Sequence, residues 1–287
     1  MIVVSYESGR LALCLDSLAR QLEADEIVVA DCSASDPAAT LRSRFPAVRF
    51  LHFTEKRSVP QLRWAAFGET SGSLIAALEA RTIPASDWCA RLVRAHDENP
   101  EVPVVGGPVA LSLPASARDL GLYFSEYGRF APPVRPGPAD DVSGANLSYK
   151  REALEGARDL LDAGSWETRL HLRWRAQGRR AFLSDATVVF ENAMTPADAI
   201  RQRFAYGRDY AAVRFPRTAR LRRAGYAVSC PVLPLLLTAR IGLGLRGKGL
   251  QPRFWRALPW ILFYSGLWAA GEMIGYLFGE SGKVEIY

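Results

Sequence analysis

The chain has 287 residues, of which 49% are hydrophobic, and a formal net charge of +6. That length and apolar content suffice for a real buried core and exclude a disordered chain. The positive balance favours anionic partners, among them nucleotides, phospholipid surfaces and nucleic acid, but the aromatic-basic interleaving of single-strand nucleic-acid sites is missing.

Residues 2–6 read as a strand, and Leu11, Leu15, Leu18 and Leu22 then recur at helical spacing. Residues 26–31 form a second strand pattern ending in Asp31, and Ser35-Asp36-Pro37 starts a helix. Residues 50–53 read as a third short strand, and residues 59–69 as a helix with Leu62, Ala65 and Ala66 on one face. Residues 74–78 are a fourth strand, and Ser86 and Asp87 cap a helix carrying Trp88, Leu92 and Ala95. A fifth strand spans 102–109, interrupted by Gly106-Gly107. Strands alternating with helices imply βαβ units and a mostly parallel sheet.

The fourth strand carries the candidate site. Its apolar run is that of a strand buried on both faces, and it stops at Glu79-Ala80-Arg81 before Pro84. In extended geometry Glu79 and Arg81 point to the same side. Ligands of open α/β sheets bind outside the carboxyl ends of the parallel strands, so the pair stands where a ligand would sit. A surface ion pair is the alternative.

Residues 131–138, rich in proline, read as a long loop, and the tail of residues 140–149 alternates like a strand after a small-residue turn. Trp166-Glu167-Thr168 opens a helix with Leu170, Leu172 and Trp174 that ends at Gly178, and short strand signals follow at 182–183 and 188–190. Basic residues crowd 214–223, ahead of two apolar stretches at 228–245 and 257–278. The first holds Pro231, Pro234 and Arg240, and the second holds Glu272. Charge at bilayer depth is costly, and basic clusters flank both stretches, at Arg222 and Arg223 and at Arg246, Lys248, Arg253 and Arg256. Membrane association is expected, either as a hairpin at the interface or as a spanning pair in which Arg240 and Glu272 neutralise each other. The composition change divides the chain into a catalytic domain, 1–223, and a hydrophobic helical segment, 224–287.

Cys14, Cys32, Cys89 and Cys230 are scattered without ligand spacing, which predicts a reducing compartment and no zinc site. His52, His96 and His171 are isolated and read as structural or exposed. A strand pattern from Ile2, in place of a basic leader, predicts a cytoplasmic catalytic part. Gly242, Gly244 and Gly247 match the spacing of a dinucleotide fingerprint but follow no strand, so the match is discarded.

Several segments together resemble the family 2 glycosyltransferases of bacteria, which use the GT-A fold. Val3-Val4-Ser5-Tyr6-Glu7-Ser8 is similar to their opening strand and nucleotide-contacting turn, and Cys14-Leu15-Asp16-Ser17-Leu18-Ala19-Arg20-Gln21 to their first helix. Glu26-Ile27-Val28-Val29-Ala30-Asp31 resembles the strand whose Asp binds the base. Arg63 stands where the family has an Arg before the central strand. Gly144-Ala145-Asn146-Leu147-Ser148-Tyr149 resembles the acceptor-side strand, and Trp166-Glu167 the start of the helix that carries the catalytic base. Arg203-Phe204 echoes the donor motif, and residues 268–279, with Gly271-Glu272 and Gly275-Tyr276, resemble a C-terminal membrane segment.

The resemblance implies a mostly parallel mixed sheet flanked by helices, with hydrophobic helices at the C-terminus. It implies inverting transfer of a sugar from a nucleotide sugar to a glycan or lipid-linked acceptor, as in polysaccharide biosynthesis, at the cytoplasmic face of the inner membrane, and no nucleic-acid partner. Ser5, Tyr6, Glu7, Asp31, Arg63, Glu79 and Arg81 would bind the nucleotide sugar. Asn146 and Trp166 would face the acceptor, Arg203 and Phe204 would form the donor motif, and Glu167 would be the base. The family pairs two acidic residues at the central strand end to hold Mg2+ or Mn2+. Here the second is Arg81, which favours metal independence and leaves Glu79 as the ligand if a metal binds. Thr168 stands where the family has an Asp base. A second reading is therefore a degenerate, non-catalytic subunit that binds a nucleotide or glycan.

Overall fold

A computed structural model describes residues 1–5, 8–21, 27–164, 166–192, 194–214 and 219–279. It divides into two compact units, Met1–Ser112 with Pro132–Glu191, and Leu113–Ala131 with Asn192–Tyr287. The composition change near 223 falls inside a helix of the second unit, Arg220–Ser229.

The first unit contains β1 (Ile2–Ser5), β2 (Val28–Asp31), β3 (Arg49–His52), β4 (Leu74–Glu79), β5 (Thr82–Pro84), β6 (Val104–Gly106), β7 (Val109–Leu111), β8 (Gly137–Ala139), β9 (Asn146–Lys150), β10 (Ala181–Leu183) and β11 (Val188–Phe190). Eight strands form one sheet in the order β3-β2-β1-β4-β9-β6-β10-β8, and β5-β11-β7 form a second. The first four run parallel, and β9 lies antiparallel between β4 and β6. Strands β1 and β2 are buried along their whole length, which is why both read as unbroken apolar runs. The chain order reverses between β1 and β4, so the carboxyl ends there form a crevice where ligands bind in such sheets.

The expected fifth strand is two strands, β6 and β7, in different sheets. Gly107 explains the break: a β-carbon there would collide with the Ala186 backbone, and Pro108 follows. Strand β8 begins within the end of the expected loop, at Gly137, and runs one residue past it. It is an edge strand paired only with β10, a position that tolerates Pro138. The helix Val59–Gly68 starts where Gln61 Oε1 accepts the Ser58 N–H at 2.9 Å. It packs Leu62, Ala66 and Phe67 into the core and carries Arg63 on the same buried face.

Asn146 ties the two sheets together. Its Nδ2 donates to the carbonyls of Pro108 (2.9 Å) and Ala186 (2.7 Å), and its Oδ1 accepts from Trp88 Nε1 at 2.7 Å.

The second unit is helical, with Ala117–Tyr127, Pro196–Arg214, Arg220–Ser229, Leu233–Gly244 and Gln251–Phe278 as its main helices. A β-carbon on Gly271 would strike the Phe204 carbonyl, and one on Gly207 the Trp268 backbone, so helix Gln251–Phe278 lies directly on helix Pro196–Arg214. Glu272, buried in that seam, accepts from Trp268 Nε1 at 3.0 Å and from the Tyr276 hydroxyl at 3.1 Å; these, rather than Arg240, are its partners. Arg220–Gly244 and Gln251–Phe278 are long and apolar enough to cross a membrane by length and composition.

The three hydrogen bonds at Asn146 yield a test. Asn146→Leu, of similar volume, leaves the buried Trp88 N–H and Ala186 carbonyl unpaired, while the Pro108 carbonyl keeps the Val188 N–H, and should lower the unfolding free energy by about 3 kcal/mol. A urea midpoint within error of the wild type would refute the pinning role.

Candidate functional site

The carboxyl ends of β1, β2, β3 and β4 are level. In register, Ser5 lies beside Asp31, Asp31 beside His52, and Val4 beside Glu79. Glu79 closes β4, and the Arg81 Nε donates to its Oε2 at 2.7 Å. Arg81 is held in turn by the Phe190 ring of β11, 5.1 Å from the guanidinium carbon, and its carbonyl accepts the Glu191 N–H at 2.9 Å. Burial acts to raise the Glu79 carboxyl, but the Arg81 and Arg63 charges and the bond from Arg81 outweigh it and hold that carboxyl below the usual range.

Arg63 reaches this place from its helix, fully buried. Its Nη2 donates to the Gly144 carbonyl at 2.7 Å, and its Nη1 pairs with Glu167. Glu167 precedes helix Thr168–Ala176 and has φ of 38°, the one positive φ among the described non-glycine residues. Such a backbone costs on the order of 1–3 kcal/mol and persists only when surroundings enforce it. Here the enforcing groups are visible. The carboxylate is closed on Arg63 and lies against Gly144, where any β-carbon would collide with it. The result is an alternating row, Arg81, Glu79, Arg63 and Glu167, of two cations and two anions.

Four of the residues expected in the site therefore meet: Arg63, Glu79, Arg81 and Glu167. Ser5 and Asp31 stand at the adjoining strand ends, both buried. The Asp31 carboxylate accepts the Ser33 N–H at 3.0 Å and the Ser33 hydroxyl at 2.7 Å, and His52 Nδ1 lies 2.9 Å away. Tyr6 and Glu7 lie outside the described residues. Asn146 is fully buried, with its amide committed to the bonds described above. Trp166 is buried edge-on against Tyr149 at 5.9 Å. Arg203 and Phe204 belong to the second unit, where the buried Arg203 guanidinium lies over the Trp268 ring at 4.9 Å.

Three groups escape a reading by sequence. Gly144 makes room for the Glu167 carboxylate. His171, one turn beyond Glu167, links Asp141 Oδ1 (2.5 Å from Nδ1) to the buried Tyr149 hydroxyl (3.2 Å from Nε2). His52 ends β3 as Asp31 ends β2, and that shared strand-end position is the signal that could have found it.

The donor set at Glu79 does not fit a divalent ion. Its carboxylate is bonded to one guanidinium and faces a second, and a dication would meet both at short range. Among the described residues, no three His, Cys, Asp or Glu side chains gather as a metal site.

Comparison with known proteins locates the fold. The family model described as glycosyl transferase family 2 matches residues 1–157. No curated protein matches the chain. Among solved structures, the mannosyltransferase PcManGT from Pyrobaculum calidifontis, in complex with GDP-Man and Mn2+, is similar with a TM-score of 0.59 and 18% identity, over 98% of this chain and 87% of that one. S. aureus TarS, residues 1–349, is similar with a TM-score of 0.51 and 13% identity, over 98% and 92%. At such identities the likeness is one of fold.

The Glu79–Arg81 pair predicts a pH effect. A carboxylate held low in the folded state contributes stability that is complete above the ordinary carboxylate range and is lost as pH falls through its folded pKa. Arg81→Met removes one depressing charge, so the acid limb of stability should begin at higher pH. Urea unfolding repeated across the acid range measures this, and an unmoved acid limb would show the pair to be energetically idle.

Proposed function

The chain belongs to glycosyl transferase family 2 and has the GT-A fold, and from that premise we propose that it moves a sugar from a nucleoside diphosphate to a hydroxyl of a glycan or lipid-linked acceptor, with inversion. The observation that carries the reading is the row Arg81, Glu79, Arg63 and Glu167 at the strand ends where such sheets bind ligands. Glu167 is the general base: it takes the acceptor proton as that oxygen attacks the anomeric carbon and the bond to the diphosphate breaks. Arg63 orients it, and Gly144 gives its carboxylate space.

The departing diphosphate gathers negative charge, which an enzyme must meet with fixed positive groups. In this chain Arg81 supplies that charge. A guanidinium carries five N–H donors in a planar fork that matches phosphate oxygens, and Glu79 fixes its plane by taking the bond from Nε. Two acidic groups and a dication sum to zero charge, and so do Glu79 and Arg81 without a metal. Transfer is therefore proposed to proceed without Mg2+ or Mn2+.

The second unit supports a site of action at the cytoplasmic face of a membrane. Leu221, Val228, Leu235, Leu236 and Trp255 are exposed apolar side chains on helices that also expose Arg220, Arg222, Arg253 and Arg256. Apolar area beside clustered cations is the pattern of an element lying on an anionic bilayer surface. A second reading, a nucleotide-binding protein without turnover, is favoured by one observation: the Glu167 carboxylate is closed on Arg63.

Replacing the base separates the two. Glu167→Gln should slow transfer by about 10²–10⁴-fold while leaving donor affinity unchanged. Radiolabelled sugar transfer by purified protein, with donor binding measured in parallel, makes the test. Wild-type turnover in the variant would refute the assignment.

A further inference from the structure

The strand ends beside Glu79 hold a second built polar group that the transfer step leaves unused. Asp31 and His52 are register partners at the ends of β2 and β3. The Asp31 carboxylate is buried and bonded: Ser33 binds it through both its N–H and its hydroxyl, and His52 Nδ1 approaches Oδ2 at 2.9 Å. A carboxylate only accepts, so in the neutral imidazole the hydrogen sits on Nδ1 and the lone pair on Nε2. Among the described residues Nε2 has no partner, and the side chain keeps 20% of its surface open. Beside it, the Arg57 guanidinium lies over the Phe53 ring at 3.7 Å, and the Cys32 Sγ, next in chain to Asp31, donates to the Arg57 carbonyl at 3.7 Å. The chain neighbours of His52 and Asp31, Phe53 and Cys32, thus both hold Arg57, a flat cationic group, at the same strand ends as the open acceptor.

We propose that His52 selects the base of the donor, and that the base is one with a ring N–H on its pairing edge: uracil, thymine or guanine. This deepens the transferase reading and rests on it. Uracil and thymine offer N3–H and guanine offers N1–H to the Nε2 lone pair. Cytosine and adenine present a ring lone pair at that place, which leaves two acceptors face to face and unpaired. Sites built to bond an N–H discriminate strongly against analogues that lack it. The flat guanidinium of Arg57 is shaped to stack on the base plane. Asp31 is a positioning residue that sets the His52 tautomer.

Calorimetric titration of the full-length protein at about pH 8 with UDP, GDP, CDP and ADP tests the selection. UDP or GDP should bind at least roughly tenfold tighter than CDP and ADP. His52→Gln, whose amide can turn either a donor or an acceptor outward, should bring CDP to within about threefold of the better ligand. The chain has three histidines, so ring 15N spectra of histidine-labelled protein read the tautomer directly and do not depend on the variant folding. The wild type should carry the hydrogen of His52 on Nδ1, and Asp31→Asn should reduce that population. Equal affinity for all four nucleotides, an unchanged preference in His52→Gln, or an Nε2–H tautomer would overturn the inference and leave the transferase reading standing. Binding of none of the four would overturn both.

Discussion

The structure depends on one buried cation. Arg63 is wholly removed from solvent, and a charge in that setting is tolerated only when it is paired and hydrogen-bonded. Its surroundings come from three distant parts of the chain: the Gly144 carbonyl before β9 takes a bond from Nη2, Glu167 before helix Thr168–Ala176 pairs with Nη1, and the Glu79 charge at the end of β4 acts on it electrostatically. Placing one guanidinium therefore draws β4, the turn before β9 and the start of helix Thr168–Ala176 to a single point. The strained backbone of Glu167 follows from the same demand, because its carboxylate can reach Arg63 only over the bare face of Gly144. Removing one partner of such a group typically costs about 3–5 kcal/mol, so positioning of the site and stability of the fold are coupled here.

Some of this is legible in the amino-acid sequence. Parallel strands buried on both faces must be apolar runs, so β1 and β2 announce themselves; β4 reads the same way, although Leu74, Ala76 and Glu79 are only half-buried in it, and all three strands end in polar residues. The alternation of an extended chain puts Glu79 and Arg81 on one side, and the structure pairs them. What is not legible depends on contacts between distant segments. The split of residues 102–109 into two strands arises from the Gly107 approach to Ala186, and the role of Asn146 from carbonyls on two other loops. His171 has no local pattern to mark it, and His52 only its place at a strand end; their meaning comes from Asp141, Tyr149 and Asp31. The union of Leu113–Ala131 with the C-terminal helices is also non-local: Gly121 lies against the Trp260 backbone.

The C-terminal helices show how one composition serves two ends. Helix Gln251–Phe278 buries Gly271, Glu272, Gly275 and Tyr276 against its own unit, so part of its apolar character is ordinary core. Helix Leu233–Gly244 buries little and exposes Leu235, Leu236 and Leu243. The surplus is the part that a membrane surface would cover, and it is the part that a reading of hydropathy alone cannot separate from the core.

The central claim is that a guanidinium, fixed by Glu79, carries the charge that a divalent ion carries in a site with two acidic residues. Initial rates of sugar transfer, taken in metal-stripped buffer with excess chelator and again across a manganese series, test it most directly. The account predicts the same rate throughout. A rate that vanishes with chelator and returns with manganese would contradict it.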